Sequence, residues 1–141
     1  MAVSLALLGA CNFDVSRVCV TSSAPSIRLP VVPGHPAAGS FEVEAPAGGG
    51  DLVSVTSDRI ASIEMHQTTT AGGVTSMHRI QRIAADSCNR ISTSDGRHLM
   101  LVGLDPSIRA GDNVALTFHF EHGGTQTISA RVWAAGDDRG G

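Results

Sequence analysis

Apolar and polar residues alternate along most of this chain with a period of two, the spacing of a strand with one face buried. "SFEVEA" sets Phe41, Val43 and Ala45 against Glu42 and Glu44, and the turn "PAGGGD" follows it. "LVSVTS" is the next expected strand. In "IASIEMHQ" the alternation turns Ala61, Ile63 and Met65 inward and Ser62, Glu64 and His66 outward. "TTTAGG" is a loop, and "VTSMHRIQRI" returns as a strand on the strength of its β-branched residues. "AADSCNRISTSDG" is a second loop with a short strand around Ile91, ahead of "RHLMLVGL", the most hydrophobic strand of all. A final hairpin sets Val114, Leu116, Phe118 and Phe120 on one face, turns at "EHGG", and returns through Ile128, Ala130 and Val132.

No segment carries a sustained 3.6-residue apolar repeat with caps, so the pattern predicts an all-β fold, an antiparallel β-sandwich. The stretch "TSSAPSIRLPVVPGHPAAG" is rich in Pro, Ser and Gly, and such a segment wraps a surface rather than forming a central strand. Regular structure is therefore expected from Ser40. Residues 18–135 form the expected domain, and the polar, Gly-rich residues 136–141 read as a frayed tail.

The first ten residues, "MAVSLALLGA", are apolar and end in small residues before Cys11, which makes 1–17 the expected export leader. An N-terminal β-strand or a mispredicted start codon is the alternative. "LLGAC" resembles a bacterial lipobox, in which the cysteine becomes lipid-modified, although no positive region precedes it. With Cys11 as an anchor, Cys19 and Cys88 are left, compatible with one disulfide in an oxidising compartment or with two buried thiols.

Composition narrows the function. The 141 residues are 42% hydrophobic, 16% charged and 4% aromatic, with a formal charge of −3. Such a surface offers neither a broad positive field nor stacking platforms, so nucleic acid is not an expected partner. There is no Gly-rich phosphate loop, nucleophile elbow or His-Glu-x-x-His helix, so no enzymatic activity is expected.

The histidines and methionines are more informative. In "RHLMLVGL", His98 and Met100 sit at i and i+2 and project together, leaving Leu99 and Leu101 for the other face. Met77 has Thr75, Arg79 and Gln81 as same-face neighbours, which core packing explains poorly, whereas Met65 shares its face with Ala61 and Ile63 and is expected in the core. His66 lies on a polar face. Thioether sulfur is soft and imidazole borderline, so His66, Met77, His98 and Met100, brought together at one end of the sandwich, would favour Cu(I) over hard cations. His35, His78, His119 and His122 are read as surface histidines. Blue-copper electron transfer is disfavoured, because Cys88 stands apart from any suitable cluster.

"EMHQTTTAGGVTSM" followed by "GRHLMLVGLDPSIRAGDNVALTFHFEHGGTQTISARV" resembles the periplasmic copper chaperones of the PCu(A)C family. The hallmark shared with that family is a His, a Met after ten residues, and a distant His-x-Met; here twenty residues separate Met77 from His98, one fewer than usual in the family. The resemblance is best over about the last two thirds of the chain. Its opening strand departs from the family, with "PSIRLPVVPG" where a tryptophan-containing strand is usual, and the chain carries no Met- and His-rich extension after "WAAGDDRGG".

The resemblance implies a cupredoxin-like Greek-key β-sandwich that binds one Cu(I) through His66, Met77, His98 and Met100. It implies a monomeric periplasmic carrier that passes copper to an acceptor protein, such as a subunit of an assembling cytochrome c oxidase. The competing expectation is a copper-free sandwich acting as an adhesion or assembly module, its His and Met residues incidental.

Overall fold

The computed structural model describes residues 24–137. The expected leader, Cys11, Cys19 and most of the expected tail lie outside the described residues. Cys88 is disulfide-bonded, and the chain's other two cysteines, Cys11 and Cys19, are both outside that range.

Among the described residues ten strands form in chain order: β1 (Ser26–Arg28), β2 (Ala37–Ser40), β3 (Glu42–Glu44), β4 (Leu52–Thr56) and β5 (Ile60–Ala71), then β6 (Val74–Ile80), β7 (Arg90–Ser92), β8 (Arg97–Leu104), β9 (Asn113–Phe120) and β10 (Thr125–Trp133). No helix occurs among the described residues. Eight strands make one sheet in the order β4-β9-β10-β1-β2-β8-β5-β6, and β3 pairs with β7 in a small second sheet. Beyond β6, Ile83 exchanges both backbone hydrogen bonds with Leu52 at the start of β4. That bridge links the two ends of the large sheet and leaves a single apolar core inside, which includes the inward faces of β9 and β10 and the tilted pair Phe41–Phe118, with ring centroids 4.9 Å apart.

The expected alternation holds in the hairpin of β9 and β10. Val114, Leu116, Phe118, Phe120, Ala130 and Val132 are all buried, and Ile128 packs at the margin. Phe41, Val43 and Ala45 are buried as well, but "SFEVEA" is two strands rather than one. The chain leaves the large sheet after Ser40 and joins the small one at Glu42.

Nor is "TTTAGG" a loop: β5 runs through Thr68, Thr69, Thr70 and Ala71, all paired with β6, and only Gly72 and Gly73 make the turn. Two further expectations need correction. Among the described residues regular structure begins at Ser26, not Ser40, and the Pro-rich stretch supplies β1 and β2 at the centre of the large sheet. Its prolines flank these strands instead of interrupting them: Pro25 precedes β1, Pro30 and Pro33 lie between, and Pro36 precedes β2. A three-residue strand fits between prolines, and Ile27 at its centre is fully buried. β1 also runs parallel to β10, the one parallel pair among the described strands. The second of the two is Ala61, expected inward but exposed. Gly103, which lies across from Ala61 on β8, between the pairs Ile60–Leu104 and Ser62–Val102, has φ +71°, and a Cβ there would stand 2.7 Å from the Cβ of Ala61. The irregular backbone at this crossing shifts the inward set of β5 to Ile60 and Met65, with Ile63 half-buried.

Candidate metal centre

The site is built on three adjacent strands, β8, β5 and β6, and two pairing registers fix it. β5 and β6 are joined by Gly72 and Gly73, both with positive φ, which is the two-residue turn that suits the twist of a hairpin. Ala71 then faces Val74, Thr68 faces Met77 and His66 faces Arg79. Directly opposed residues share a face, and so do residues two apart on one strand, so Met77 lies on the same side as His66 and diagonal to it. The ten intervening residues are what a tight glycine turn needs to give that parity.

On its other side β5 pairs with β8, where His66 stands directly opposite His98 and Glu64 opposite Met100. Leu99 and Leu101, of opposite parity, are fully buried, while His98 and Met100 are only half-buried. The puzzle of polar and soft side chains in the most apolar strand has a simple physical answer: β8 carries the core on one face and the candidate site on the other.

All four residues expected as ligands therefore share one face. Nε2 of His98 lies 2.9 Å from Sδ of Met77. Since β6 and β8 are separated by β5, two strand spacings or about 9–10 Å apart, both side chains must lean over the middle strand to meet. The rings of His66 and His98 have centroids 5.8 Å apart and planes inclined by 30°. Met100 completes the row on β8, between Glu64 of β5 and Ala38 of β2. The face is open at the β6 edge, where Met77 is 49% exposed, and closed around His66, whose side chain is 12% exposed.

Two charged residues that supply no soft donor, Glu64 and Arg79, also join this face. Oε2 of Glu64 lies 3.1 Å from Nε2 of His66, and Oε1 lies 3.3 Å from a guanidinium nitrogen of Arg79. The strand alternation already placed Glu64 beside His66 and Arg79 beside Met77, but not the register that joins them. Nδ1 of His66 is buried without a hydrogen-bond partner, a state that costs about 1–3 kcal/mol for a polar atom.

The remaining histidines stand apart. His78 pairs with Gln67 on the opposite face of β6, and His119 bonds Thr56 through Nε2 at 2.8 Å. His122 lies in the turn after β9, against Gly50, and His35 lies in the loop before β2. Among the described residues no group of three or more His, Cys, Asp or Glu could share a metal ion. The chemistry available on the β8–β5–β6 face thus depends on its thioethers, which bind soft monovalent ions and leave hard cations to oxygen ligands.

The family profile LpqE-like, whose description proposes a lipoprotein, matches residues 20–132. Among curated proteins, Lxx21020 of Leifsonia xyli subsp. xyli, also named as a proposed lipoprotein, is 30% identical over 89 residues, which is 61% of this chain and 53% of that protein. RP573 of Rickettsia prowazekii is 30% identical over 83 residues, 57% of this chain and 46% of that protein. The chain spans about half the length of the curated relatives it matches. Among solved structures, the copper-bound PCuAC domain from PmoF2 superposes with a TM-score of 0.59 at 24% identity, covering 80% of this chain and 91% of that one. The solution structure of apo-DR1885 from Deinococcus radiodurans gives 0.55 at 16% identity, with both chains covered in full. At these identities the likeness is one of fold, the cupredoxin-like β-sandwich.

Proposed function

The chain belongs to the LpqE-like family, and from that premise we propose that it is a Cu(I) carrier that holds one ion on the β8–β5–β6 face through His66, Met77, His98 and Met100. One observation carries this reading: His98 and Met77, from non-adjacent strands, meet at 2.9 Å directly beside His66. A half-exposed thioether turned back onto an imidazole is poorly explained by core packing and well explained by ligation. Nδ1 of His66, buried and without a hydrogen-bond partner, adds a second nitrogen to which ligation would supply a partner.

The donor set suits the proposed cargo. Thioether sulfur needs no deprotonation and prefers Cu(I), and neutral imidazole is a good ligand for copper. Rigid strands hold the four side chains, while the open β6 edge lets an ion enter and leave. Such a site fits a carrier rather than a catalyst. Copper is also what one solved relative in fold, the PmoF2 domain, is described as binding.

Carried copper needs an acceptor, and we place the chain among the periplasmic copper chaperones that supply a copper centre such as that of cytochrome c oxidase. The lipoprotein descriptions of the family and of the Leifsonia relative support an extracytoplasmic location, with Cys11 as the proposed lipid anchor. A disulfide at Cys88 suits an oxidising compartment.

The test is titration of the purified chain with Cu(I) against a competing chelator. One tightly held ion per chain is expected. Absence of uptake would overturn the proposal in favour of a copper-free adhesion or assembly module.

A further inference from the structure

The fold treats the two ring nitrogens of His66 differently. Nε2 lies 3.1 Å from Glu64, two residues back on β5 and on the same face, while Nδ1 is buried with no hydrogen-bond partner. The second oxygen of Glu64 is 3.3 Å from Arg79, the register partner of His66 on β6. The carboxylate is thus fixed between an imidazole on its own strand and a guanidinium on the next.

An ionised carboxylate only accepts hydrogen bonds, so a neutral ring in this position carries its proton on Nε2 and its lone pair on Nδ1. Turning the ring over would set a carbon against the carboxylate and forfeit the bond. Metal-bound imidazoles commonly donate their other N–H to a carboxylate, which fixes the tautomer and raises the basicity of the ligating nitrogen.

We propose that Glu64 is a positioning residue of the metal centre: it holds His66 as the Nε2–H tautomer, so that His66 ligates Cu(I) through Nδ1. Arg79 anchors the far oxygen of Glu64. Arg79 is 68% exposed, so its contribution is orientation more than energy. The ligation half of this inference rests on the Cu(I) reading given above; the tautomer half concerns the protein without metal.

The experiment is multiple-bond proton–nitrogen NMR on the uniformly ¹⁵N-labelled chain, first without metal and then during addition of Cu(I), alongside chelator competition on the variants. Without metal, the expected spectrum has His66 protonated at Nε2, and added Cu(I) moves the Nδ1 resonance most. Glu64→Ala is expected to lose the tautomer preference and to weaken Cu(I) binding about 10–100-fold. Glu64→Gln, whose amide oxygen still accepts from Nε2–H, is expected to restore most of both and serves as the folded control. A wild-type His66 protonated at Nδ1, a Cu(I) shift centred on Nε2, or a Glu64→Ala variant with unchanged affinity would overturn the proposal. Failure of the wild-type chain to take up Cu(I) removes the ligation together with the proposed function. Uptake through the wrong nitrogen, or uptake indifferent to Glu64, removes only the role of Glu64.

Discussion

His66 and His98 stand directly opposite each other across β5 and β8, with ring centroids 5.8 Å apart, and Met77 reaches over from β6 to within 2.9 Å of His98. Only one of these three side chains, Met77, lies on a sheet edge and is half exposed. Its removal separates ligation from packing. Met77→Ala is expected to change folding stability by no more than about 0.5 kcal/mol, as for an ordinary surface position. Cu(I) affinity should fall at least about tenfold, since losing a ligand costs no less than losing a ligand's support. Urea unfolding and chelator competition on the same sample check both; a large stability loss with undiminished copper binding would mark Met77 as a packing residue.

The strand that carries His98 and Met100 yields the converse experiment. Leu99 and Leu101 are fully buried on the core face of β8. Leu99→Ala and Leu101→Ala are each expected to cost about 2–5 kcal/mol from lost burial and the cavity left behind. Met100→Ala, on the half-buried face, is expected to cost clearly less than either. Equilibrium urea unfolding reads all three, and equal losses would mean that the alternation along β8 does not divide core from site.

The faces of the fold were legible in the sequence; its connections were less so. Strict period-two alternation located the inward residues of β9, β10 and β8, and put Met65 in the core with His66 outside. The parity that unites His66 and Met77 was less legible, because "TTTAGG" reads as a six-residue loop, whereas β5 runs on to Ala71 and leaves Gly72 and Gly73 alone as the turn. Which strands lie side by side does not follow from the sequence, since register between β5 and β8 is set by core packing over long sequence separation. That is why Glu64 and Arg79 could be placed on the right face but not joined to His66. The proline-rich segment misled for a local reason. Proline excludes a strand only where its missing N–H is needed, and here each proline sits outside the strands, leaving Ile27 free to occupy the sheet's centre.

The glycine turn of the β5–β6 hairpin holds Met77 over the site, and its two positions should differ in tolerance. Gly72 and Gly73 have φ of +60° and +80°. Asparagine enters the left-handed region readily and is favoured at the first position of such turns, so Gly72→Asn is expected to be nearly neutral. A β-branched residue is disfavoured there, and Gly73→Val should destabilise the hairpin by about 1–2 kcal/mol. Amide hydrogen exchange over β5 and β6 is the measurement. Faster exchange in Gly73→Val, with reduced Cu(I) affinity and an unchanged β9–β10 hairpin, is expected; equal protection in both variants would mean that the turn does not set the hairpin's stability.

Acid sensitivity has one identifiable source in the β8–β9 connection. The Ser107 hydroxyl donates to Oδ1 of Asp105 at 2.7 Å and the Ser107 backbone N–H donates to the same oxygen at 2.9 Å. These two bonds, the hydroxyl's foremost, hold the Asp105 carboxyl below its ordinary value, against a small opposing effect of burial and with a lesser pull from Arg59. A carboxyl whose folded value is depressed binds protons more readily in the unfolded chain. Its contribution to stability is therefore complete above the unfolded value of about 3.9 and is lost as pH falls through the lower folded value. Asp105→Asn keeps an accepting oxygen but cannot titrate. Its melting temperature should lie below that of the wild type near neutrality and converge on it as the pH falls below about 4. Ser107→Ala, which removes the stronger bond, should flatten the same limb. Parallel melting curves for all three proteins from neutral to acidic pH would show that the acid response arises elsewhere.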